Sequence, residues 1–384
     1  MTVIITDVHY RAAIAPIRDL GEAGHSVIGC ETDAFPHPVG FASRFCREKA
    51  VLDSNDHLNA LLRLCGETAR RDGEKPVLLI IGASTLRLAC ENAERFHEVC
   101  RVLLPEEEQL ALLNDKAALS EYAKKIDIPV PADFVCGEDE NEDAFFARVP
   151  LPCVVKPLCG EQFGLKAAQR YRICKTRDAL REAYAHFRTV TSSVPVVQEY
   201  LSGEALGCSV LAKNGEILAS VCHHRIREYP VSGGPSSCCE SIFNDELNEY
   251  AAALVRATGF SGLAMFEFKC TADGAPRLLE CNPRVWGSYP LTRAAGTNFS
   301  LLWAQASGGE TTAEFCRGNA VKMRYLPADL LAALGYLKSG KTRAALRGLA
   351  DLFSPKVRGG LFSFADPGPG WRYFCSLFER IQDR

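Results

Sequence analysis

The stretch RLLECNPRVWGS, residues 277–288, begins as a β-strand and then places polar side chains at every second position. Glu280 and Asn282 point to the same side of an extended chain, and Arg284 follows them if the extended geometry continues that far. An acid, an amide and a guanidinium on one face make a poor hydrophobic core. The same three groups are well suited to line a site for a metal ion and a phosphate group.

The residues before this stretch predict its hairpin partner. The segment GLAMFEFKCTADGAPRLLECNP (262–283) contains Asp273-Gly274, a strong signal for a tight turn. A loop of two or four residues centred there pairs Glu280 with Glu267. Opposed carboxylates repel unless a cation lies between them, and Asn282 adds another oxygen ligand. The sequence therefore predicts a metal site; the alternative is a charged pair on a solvent-facing sheet surface.

Single basic residues stand in apolar or helical surroundings in the same half of the chain. Lys116 lies near a helix start in LNDKAAL, and Lys156 ends the apolar run CVVK. In CHHRIREYP, strand alternation places His223, Arg225 and Arg227 on one face, and a Gly-rich segment follows. Taken alone, Lys116 or His223 is equally compatible with a solvated surface residue. As a set with a divalent cation, these groups predict a bound nucleoside triphosphate.

The N-terminal segment predicts a parallel α/β layer. Strand, helix, strand, helix and strand follow one another over residues 3–7, 11–25, 26–33, 54–73 and 76–84. The last strand is apolar throughout, which indicates burial on both faces. No G-x-G-x-x-G motif follows the first strand, so a dinucleotide site is not predicted.

The chain beyond about residue 105 predicts a mixed α+β structure. One or two helices over 106–134 end at the Pro129/Pro131 pair, and short strands with turn signals surround a helix over 246–259. A further helical tail follows residue 311. The sequence contains no internal repeat and no low-complexity segment.

The composition is that of an ordinary globular protein, with 47% hydrophobic and 24% charged residues in a chain of 384. This length predicts two or three domains. The net charge of −3 predicts no general affinity for nucleic acid. No apolar run approaches the roughly 18 residues that a membrane-spanning helix needs, so no membrane partner is expected.

The 17 cysteines are scattered and include no C-x-x-C pair. The N-terminus starts with a strand-like run and lacks the pattern of a signal peptide. We therefore expect a reduced, cytoplasmic protein in which most cysteines are small core residues. A metal cluster is the weaker alternative, because its ligand spacing is absent.

Taken in order, these stretches resemble the ATP-grasp ligases, and more closely the carbamoyl-phosphate-synthase-like ATP-grasp proteins. The stretches are NDKAAL, IPVP, VVKP, VQEYLSGE, HHRIREYPVSGGPSS, GLAMFEF and LLECNPRVWGS. EAGHSVIGCETD and ASRFCREKAV resemble the preATP-grasp domain of that family. The resemblance covers residues 1–310. It implies a Rossmann-like preATP-grasp domain over 1–105, two α+β subdomains that clamp ATP over 106–195 and 196–310, and a helical C-terminal extension over 311–384.

The resemblance implies a nucleotide site for ATP. Lys116 and Lys156 would contact the phosphates, and Glu204 would reach the ribose. The linker strand that hydrogen-bonds adenine would comprise Gln198, Glu199, Tyr200 and Leu201.

The resemblance also implies roles at the reacting end. Two Mg²⁺ ions, or Mn²⁺ in their place, would be held by Glu267, Glu280 and Asn282. Arg284 would stabilise the transferred phosphoryl group. Arg225, Arg227 and the Gly233–Ser237 loop would face the acceptor carboxylate.

The lid stretch KPLCGEQFGLKAAQRYR (156–172) departs from the glycine-rich lids of many ATP-grasp enzymes. Gly160 and Gly164 are present, but Glu161, Gln162 and Phe163 lie between them. The resemblance therefore leaves open whether this lid forms a backbone cradle for the β- and γ-phosphates.

The implied activity is ATP-dependent carboxylate–amine ligation through an acyl phosphate, with release of ADP and phosphate. The expected partners are small-molecule carboxylates and amines, amino acids among them, with a homodimer as one candidate assembly. One alternative is a kinase of bicarbonate or carbamate, although the chain shows no glutaminase-like motif and no second ATP-grasp half. The other is a non-catalytic ATP-binding protein, which the intact set of acids, amide and arginine argues against.

Overall fold

The computed structural model describes residues 1–137, 139–157, 165, 169, 171–231, 234–271, 274–309 and 319–382, with side chains up to residue 376. Three β-sheets organise this part of the chain. The first sheet is parallel, with the order β3-β2-β1-β4. Its strands are β1 (Thr2–Ile5), β2 (Ser26–Thr32), β3 (Cys46–Leu52) and β4 (Val77–Leu79). Its helices are α1 (Ile14–Glu22), α2 (His57–Asp72), α3 (Ala83–Cys90) and α4 (Ala93–Val99), with 3₁₀ turns at Arg11–Ala13, Val39–Ala42 and Ser54–Asp56.

This sheet confirms the predicted parallel α/β layer, with one difference at its last strand. Strands β1 and β4 are fully buried because helices cover both faces of the layer. The strand predicted over 76–84 ends at Leu79. Beyond it, the Gly82 N–H donates to Asp7 Oδ2 at 2.9 Å, and α3 begins at Ala83. The carboxylate after β1 thus terminates the extended segment after β4.

The second sheet is antiparallel, with the order β5-β8-β6-β7. Its strands are β5 (Asp133–Phe134), β6 (Cys153–Lys156), β7 (Arg172–Cys174) and β8 (Val196–Glu199). The helices of this region are α5 (Glu107–Asn114), α6 (Lys116–Lys125), α7 (Glu142–Arg148) and α8 (Arg177–Thr191). Asp115 separates α5 from α6, because its carboxylate caps α6 by accepting from the amides of Ala117 and Ala118 at 2.8 and 2.9 Å. Lys116 therefore occupies the first position of α6.

The third sheet is the largest, with the order β13-β12-β9-β10-β11-β14-β15. All its pairs are antiparallel except β14–β15. Its strands are β9 (Glu204–Lys213), β10 (Glu216–Glu228), β11 (Ser236–Ile242), β12 (Gly262–Cys270), β13 (Pro276–Asn282), β14 (Lys322–Arg324) and β15 (Val357–Gly359). The remaining helices are α9 (Asp245–Thr258), α10 (Pro290–Ala294), α11 (Phe299–Ser307), α12 (Ala328–Lys338), α13 (Thr342–Ala350) and α14 (Gly368–Gln382).

The β12–β13 hairpin has the predicted pairing at its site end, although its loop is not the predicted one. Glu267 pairs with Glu280, as a loop of two or four residues predicted. Near the loop, however, Cys270 pairs with Pro276, which leaves a connection of five residues, 271–275. The register shifts by one between Glu267 and Phe268, so Leu279 is an extra residue in β13. This β-bulge compensates for the longer loop and returns Glu280 to the position opposite Glu267.

A second bulge interrupts β10 and corrects the predicted alternation. Arg225 pairs with Cys239, but Arg227 pairs with Cys238, so Ile226 is an extra residue. The prediction that His223, Arg225 and Arg227 share one face is wrong for Arg227, because one inserted residue reverses the sides of all later side chains.

The C-terminal extension contains the predicted helices and also two strands. Strand β14 pairs with β11 and β15 pairs with β14, so the extension completes the large sheet. Its core side chains Met323, Tyr325 and Leu361 pack with Ile14 and Val39 of the N-terminal layer. The extension thus contacts both the large sheet and the first sheet's domain.

Fifteen cysteines lie in the described part of the chain, all of them free thiols, and twelve of these are buried. The expectation that most cysteines are core residues is confirmed for these positions. None of the described helices combines the length and apolar character needed to cross a membrane.

Candidate active site

Two carboxylates face each other at the end of the β12–β13 hairpin, and each is paired with a cation. Glu267 Oε2 lies 3.0 Å from Nη2 of Arg225, which extends from β10. Glu280 Oε2 lies 2.5 Å from Nζ of Lys116, at the start of α6. Three strands and one helix therefore converge on the acid pair. The repulsion between the two carboxylates is offset by Arg225 and Lys116, two cations from distant parts of the sequence.

The two carboxylates differ in their protonation. Burial alone would raise the pKa of Glu280, but the adjacent Lys116 ammonium, with Lys156 and Arg225 farther away, lowers it to about 2. Burial raises the pKa of Glu267, and Arg225 opposes that shift only in part. Glu280 is therefore ionised near pH 7, whereas the raised pKa of Glu267 makes its carboxylate easier to protonate. A bound cation would favour the ionised form of both acids.

Asn282 connects the acid pair to the arginine that follows it. Its Nδ2 donates to Glu267 Oε1 at 3.3 Å, and its Oδ1 accepts from Nη2 of Arg284 at 3.3 Å. Arg284 Nη1 also donates to the carbonyl of Val285 at 3.0 Å. The expectation that Asn282 and Arg284 lie with the acid pair is confirmed. The Asn282 amide thus contacts both Glu267 and Arg284.

A row of paired residues extends from the acid pair across the sheet. Glu267 pairs with Gly207 on β9, and Gly207 pairs with His223 on β10. An alanine Cβ at Gly207 would lie only 2.3 Å from His223 Cε1, so the ring occupies the space above the glycine. Burial, reinforced by Arg225, lowers the pKa of His223 to about 3. This buried ring is therefore neutral near pH 7.

Lys156 lies at the end of β6 in a buried polar chain. Its Nζ donates to Gln198 Oε1 at 2.8 Å, and Gln198 Nε2 donates to Asp133 Oδ1 at 2.7 Å. Ser120 Oγ donates to the other oxygen of Asp133 at 2.9 Å. Burial and the nearby Lys116 lower the pKa of Lys156 to about 8. The sequence analysis missed Asp133, because a single acid in the loop-like segment PADF carries no periodic signal.

The predicted adenine linker runs from β8 towards the large sheet. The Glu199 N–H donates to the carbonyl of Ala132 at 2.8 Å, and the Glu199 carboxylate lies 3.2 Å from Arg277. Among the described residues, the Leu201 N–H donates to no protein group. Tyr200 is partly exposed beside it, and Glu204 is exposed at the start of β9. Leu201 is itself buried, and the adenine-binding role of this linker stays a prediction.

Arg227 does not lie with the other predicted site residues. Its guanidinium is buried and donates to both oxygens of Asp329 at 2.8 and 2.9 Å and to Asp351 at 2.8 Å. Ser237 also donates to Asp329, at 3.2 Å. The bulge at Ile226 is the physical reason, because it turns Arg227 towards α12 and α13 instead of towards Glu267.

The N-terminal layer contributes a cation that the sequence analysis did not single out. The Arg11 guanidinium lies over the ring of Tyr325, 4.1 Å from its centre. Its Nη2 is 3.7 Å from the position that a Cβ at Gly287 would occupy, three residues beyond Arg284. No carboxylate of the described residues forms an ion pair with Arg11. Arg11 belongs to no regular pattern of charged residues in the sequence, so it could not be identified there as a candidate site residue.

Most of the predicted lid, residues 156–172, cannot be compared with the prediction. Residues 158–164, 166–168 and 170 lie outside the described residues, and so does Gly233 of the predicted acceptor loop. The prediction for the phosphate cradle therefore stays a prediction.

The donor set fits a divalent cation that is completed by a phosphate-bearing ligand. No cluster of three or more His, Cys, Asp or Glu that could hold a metal is present among the described residues. Glu267 and Glu280 supply two carboxylates and Asn282 an amide oxygen, with cations balancing the acids. Mg²⁺ in nucleotide sites is bound in the same way, by one or two carboxylates plus phosphate oxygens.

The chain is similar to ATP-grasp proteins in sequence. A family model described as "ATP-grasp in the biosynthetic pathway with Ter operon" matches residues 192–326, which include the acid pair, Asn282 and Arg284. A D-alanine–D-alanine ligase of Desulfotalea psychrophila is 25% identical over 193 residues, covering 45% of this chain and 56% of the relative. The chain thus spans just over half the length of the curated relative that it matches.

Solved structures show the same fold at low sequence identity. A biotin carboxylase from Campylobacter jejuni, in complex with an ATP analogue, is 14% identical with a TM-score of 0.61, covering 80% of this chain and 71% of that one. An L-amino acid ligase from Bacillus licheniformis is 17% identical with a TM-score of 0.56, covering 82% and 77%. The family match and the shared fold agree with the converging acids and cations described above. Residues 192–326 therefore resemble an ATP-grasp domain in sequence, and the chain shares the fold of these solved structures.

Proposed function

We propose that the protein is an ATP-dependent carboxylate–amine ligase that works through an acyl phosphate. The single observation that carries this proposal is the opposed pair Glu267 and Glu280, ringed by Lys116, Arg225 and Arg284. Such a set can neutralise a triphosphate and a developing phosphoryl charge at one place. The D-alanine–D-alanine ligase relative and the L-amino acid ligase neighbour support amide formation as the outcome.

In this proposal, Glu267, Glu280 and Asn282 would hold two Mg²⁺ ions, which would supply positive charge to neutralise the phosphates of ATP. Lys116, which pairs with Glu280 in this structure, would contact a phosphate oxygen. Adenine binds along the backbone at Glu199 and Leu201, with Lys156 at the phosphate side. Positioning and charge neutralisation account for most catalysis in phosphoryl transfer, so these contacts suffice without a covalent protein intermediate.

The acceptor carboxylate binds between Arg225, Arg284 and Arg11. A carboxylate oxygen attacks the γ-phosphorus, the bond from phosphorus to the bridging oxygen breaks, and ADP leaves. An amine nitrogen then attacks the acyl carbon, phosphate leaves, and the amine loses a proton. Arg11 comes from the N-terminal layer, so the acceptor would be enclosed between that layer and the large sheet.

The test measures ADP and phosphate release with Mg·ATP over a panel of amino-acid pairs and small carboxylates, with mass detection of amide products. We expect Glu280→Gln to remain folded and to lose Mg²⁺-dependent turnover, because the amide cannot replace a charged ligand. Glu249→Gln, an exposed change on α9, is the matched control and should keep full activity.

Turnover by Glu280→Gln at the unmodified rate would overturn the two-carboxylate site. ADP release without any amide product across the panel would instead overturn the ligase activity while leaving the ATP site in place.

A further inference from the structure

The helical hairpin of α12 and α13 exposes an unusual number of apolar side chains. Every exposed leucine among the described residues lies on this hairpin, and Phe353, just beyond it, is 88% exposed. The six leucines are Leu330, Leu331, Leu334, Leu337, Leu346 and Leu349. The spacing of those on α12 places them along one outward side of the helix. We call these residues, with Phe353, the hairpin surface.

In residues 328–359, the cationic side chains face solvent and the acidic side chains face the protein interior. All six cations of this segment are exposed: Lys338, Lys341, Arg343, Arg347, Lys356 and Arg358. Its only two acids, Asp329 and Asp351, point inwards and pair with the buried Arg227. The outward side of the segment is therefore purely cationic, although the whole chain carries a net charge of −3.

The inward side of the hairpin is firmly attached, so the exposed leucines are not the result of loose packing. Ala332, Ala333 and Ala345 are buried beneath them. A Cβ at Gly348 would lie 3.2 Å from the Cβ of Ala333, which shows how closely the two helices pack. The Arg227–Asp329 pair ties α12 to β10. The outward leucines are therefore presented on a rigid support.

The exposed apolar side chains and the cations around them together indicate which kind of partner the hairpin surface binds. A second copy docked symmetrically on this surface would bring its six cations against six others, which disfavours self-association there. Leu346 is 65% exposed and Phe353 is 88% exposed, so these side chains project into solvent. Projecting leucines and phenylalanine among lysines and arginines are typical of helices that lie in the interface of an anionic bilayer.

We propose that the hairpin surface binds the surface of a membrane that contains anionic lipids. The leucines and Phe353 would enter the region of the acyl chains, while the six cations would contact phosphate headgroups. The expectation of no membrane partner rested on the absence of a spanning segment, and surface binding needs none. The ATP site would then operate close to a membrane surface.

The experiment is co-sedimentation of the full chain, without nucleotide, with vesicles of phosphatidylglycerol and phosphatidylcholine or of phosphatidylcholine alone. We expect binding to the anionic vesicles only, weakening as salt is added. Lys338→Gln/Lys341→Gln/Arg343→Gln should weaken it about a hundredfold, because each cation contributes roughly a fivefold factor at such a surface. Leu337→Ser/Leu346→Ser should reduce it at least about tenfold.

The matched charge control is Lys49→Gln/Arg70→Gln/Lys125→Gln, which removes three exposed cations from elsewhere on the chain and should bind normally. Circular dichroism and thermal melting confirm that each variant is folded. Absence of binding to anionic vesicles, or equal weakening by the control triple, overturns the proposal. So does a dimer that dissociates in the leucine variant, because the surface would then be a contact between copies. Since no nucleotide is used, either result is independent of the ligase test.

Discussion

At the scale of single residues, Asn282 is central because it joins an acid to an arginine. Its amide donates to Glu267 and accepts from Arg284, so the two charged groups are held in fixed relation. Neither group alone would define a phosphoryl-transfer site. The proposed roles of Arg284 and Lys156 each lead to a prediction that can be measured on this residue scale.

Arg284→Lys should bind Mg·ATP nearly normally and lose about a hundredfold or more in single-turnover rate. Arginine can offer two parallel donors to phosphate oxygens, and that contact strengthens as charge moves in the transition state. The measurements are ATP affinity, thermal stability and single-turnover rate on one preparation. A destabilised variant with normal turnover per folded molecule would show that Arg284 only supports the strand end.

ATP affinity should fall as pH rises above about 8 because Lys156 loses its proton. Burial and Lys116 lower the pKa of Lys156 to about 8 in the free protein. Phosphates favour the charged form, so ATP binding raises this pKa and takes up a proton between the free and bound values. Over that interval the affinity should drop by about tenfold per pH unit. Calorimetric titrations from about pH 7 to about pH 9 test this, with Lys125→Gln as control; a flat profile would contradict it.

At the scale of elements, two bulges determine which side chains enter the site. The extra residue Leu279 in β13 keeps Glu280 opposite Glu267, and the extra residue Ile226 in β10 sends Arg227 away. Removed from the site, Arg227 becomes the anchor that attaches α12 and α13 to the sheet. Its contribution should therefore appear in stability.

Asp329→Asn should destabilise the protein by about 3 kcal/mol, because it leaves the buried Arg227 with only Asp351 as a charged partner. The free energy of unfolding from urea titration is the measurement. Asp178→Asn, whose side chain is 98% exposed, is the control and should change it by less than about 0.5 kcal/mol. An equal effect of both variants would mean that the Arg227–Asp329 pair does not anchor the hairpin.

At the scale of the whole molecule, the C-terminal extension fastens the N-terminal layer to the large sheet. Asp366 is buried and accepts hydrogen bonds from Arg18 Nε, Ser43 Oγ and the Arg44 amide at 2.9, 2.8 and 2.9 Å. The same extension supplies β14 and β15 to the large sheet and Tyr325 to the ring contact with Arg11. The N-terminal side of the proposed acceptor site therefore depends on this attachment.

Asp366→Ala should detach the extension locally, because it removes the buried carboxylate that accepts from Arg18 Nε, Ser43 Oγ and the Arg44 amide. We expect faster amide hydrogen exchange over residues 357–376 and a loss of about 3 kcal/mol in the free energy of unfolding. Hydrogen-exchange mass spectrometry measures the first and chemical denaturation the second. Glu67→Ala, an exposed change on α2, should alter neither. Unchanged exchange in the extension would show that Asp366 is dispensable for docking.

The sequence by itself determined the parallel N-terminal layer, the α+β body and the pairing of Glu267 with Glu280. Each depends on local periodicity, because apolar runs, helix spacing and a two-residue strand repeat are written within short segments. The same periodicity brought Asn282 and Arg284 to the acid pair. The predicted hairpin loop of two or four residues was nevertheless wrong, because five residues connect the two strands. The bulge at Leu279 restores the predicted pairing of Glu267 with Glu280.

The tertiary structure decided what lies outside that local repeat. Bulges change the side that a residue faces, and whether one forms depends on how neighbouring strands pack; Arg227 was misplaced for this reason. Residues that meet across long distances in the sequence share no regular spacing, so the Lys116–Glu280 contact, the hydrogen bonds of Asp133 and the burial of Arg227 could not be predicted from the sequence. Tertiary packing also decides which charges of the α12–α13 hairpin face solvent. Its two acids, Asp329 and Asp351, stand in the same segment as its six cations, and packing against the buried Arg227 of β10 turns both acids inwards and leaves every cation outside.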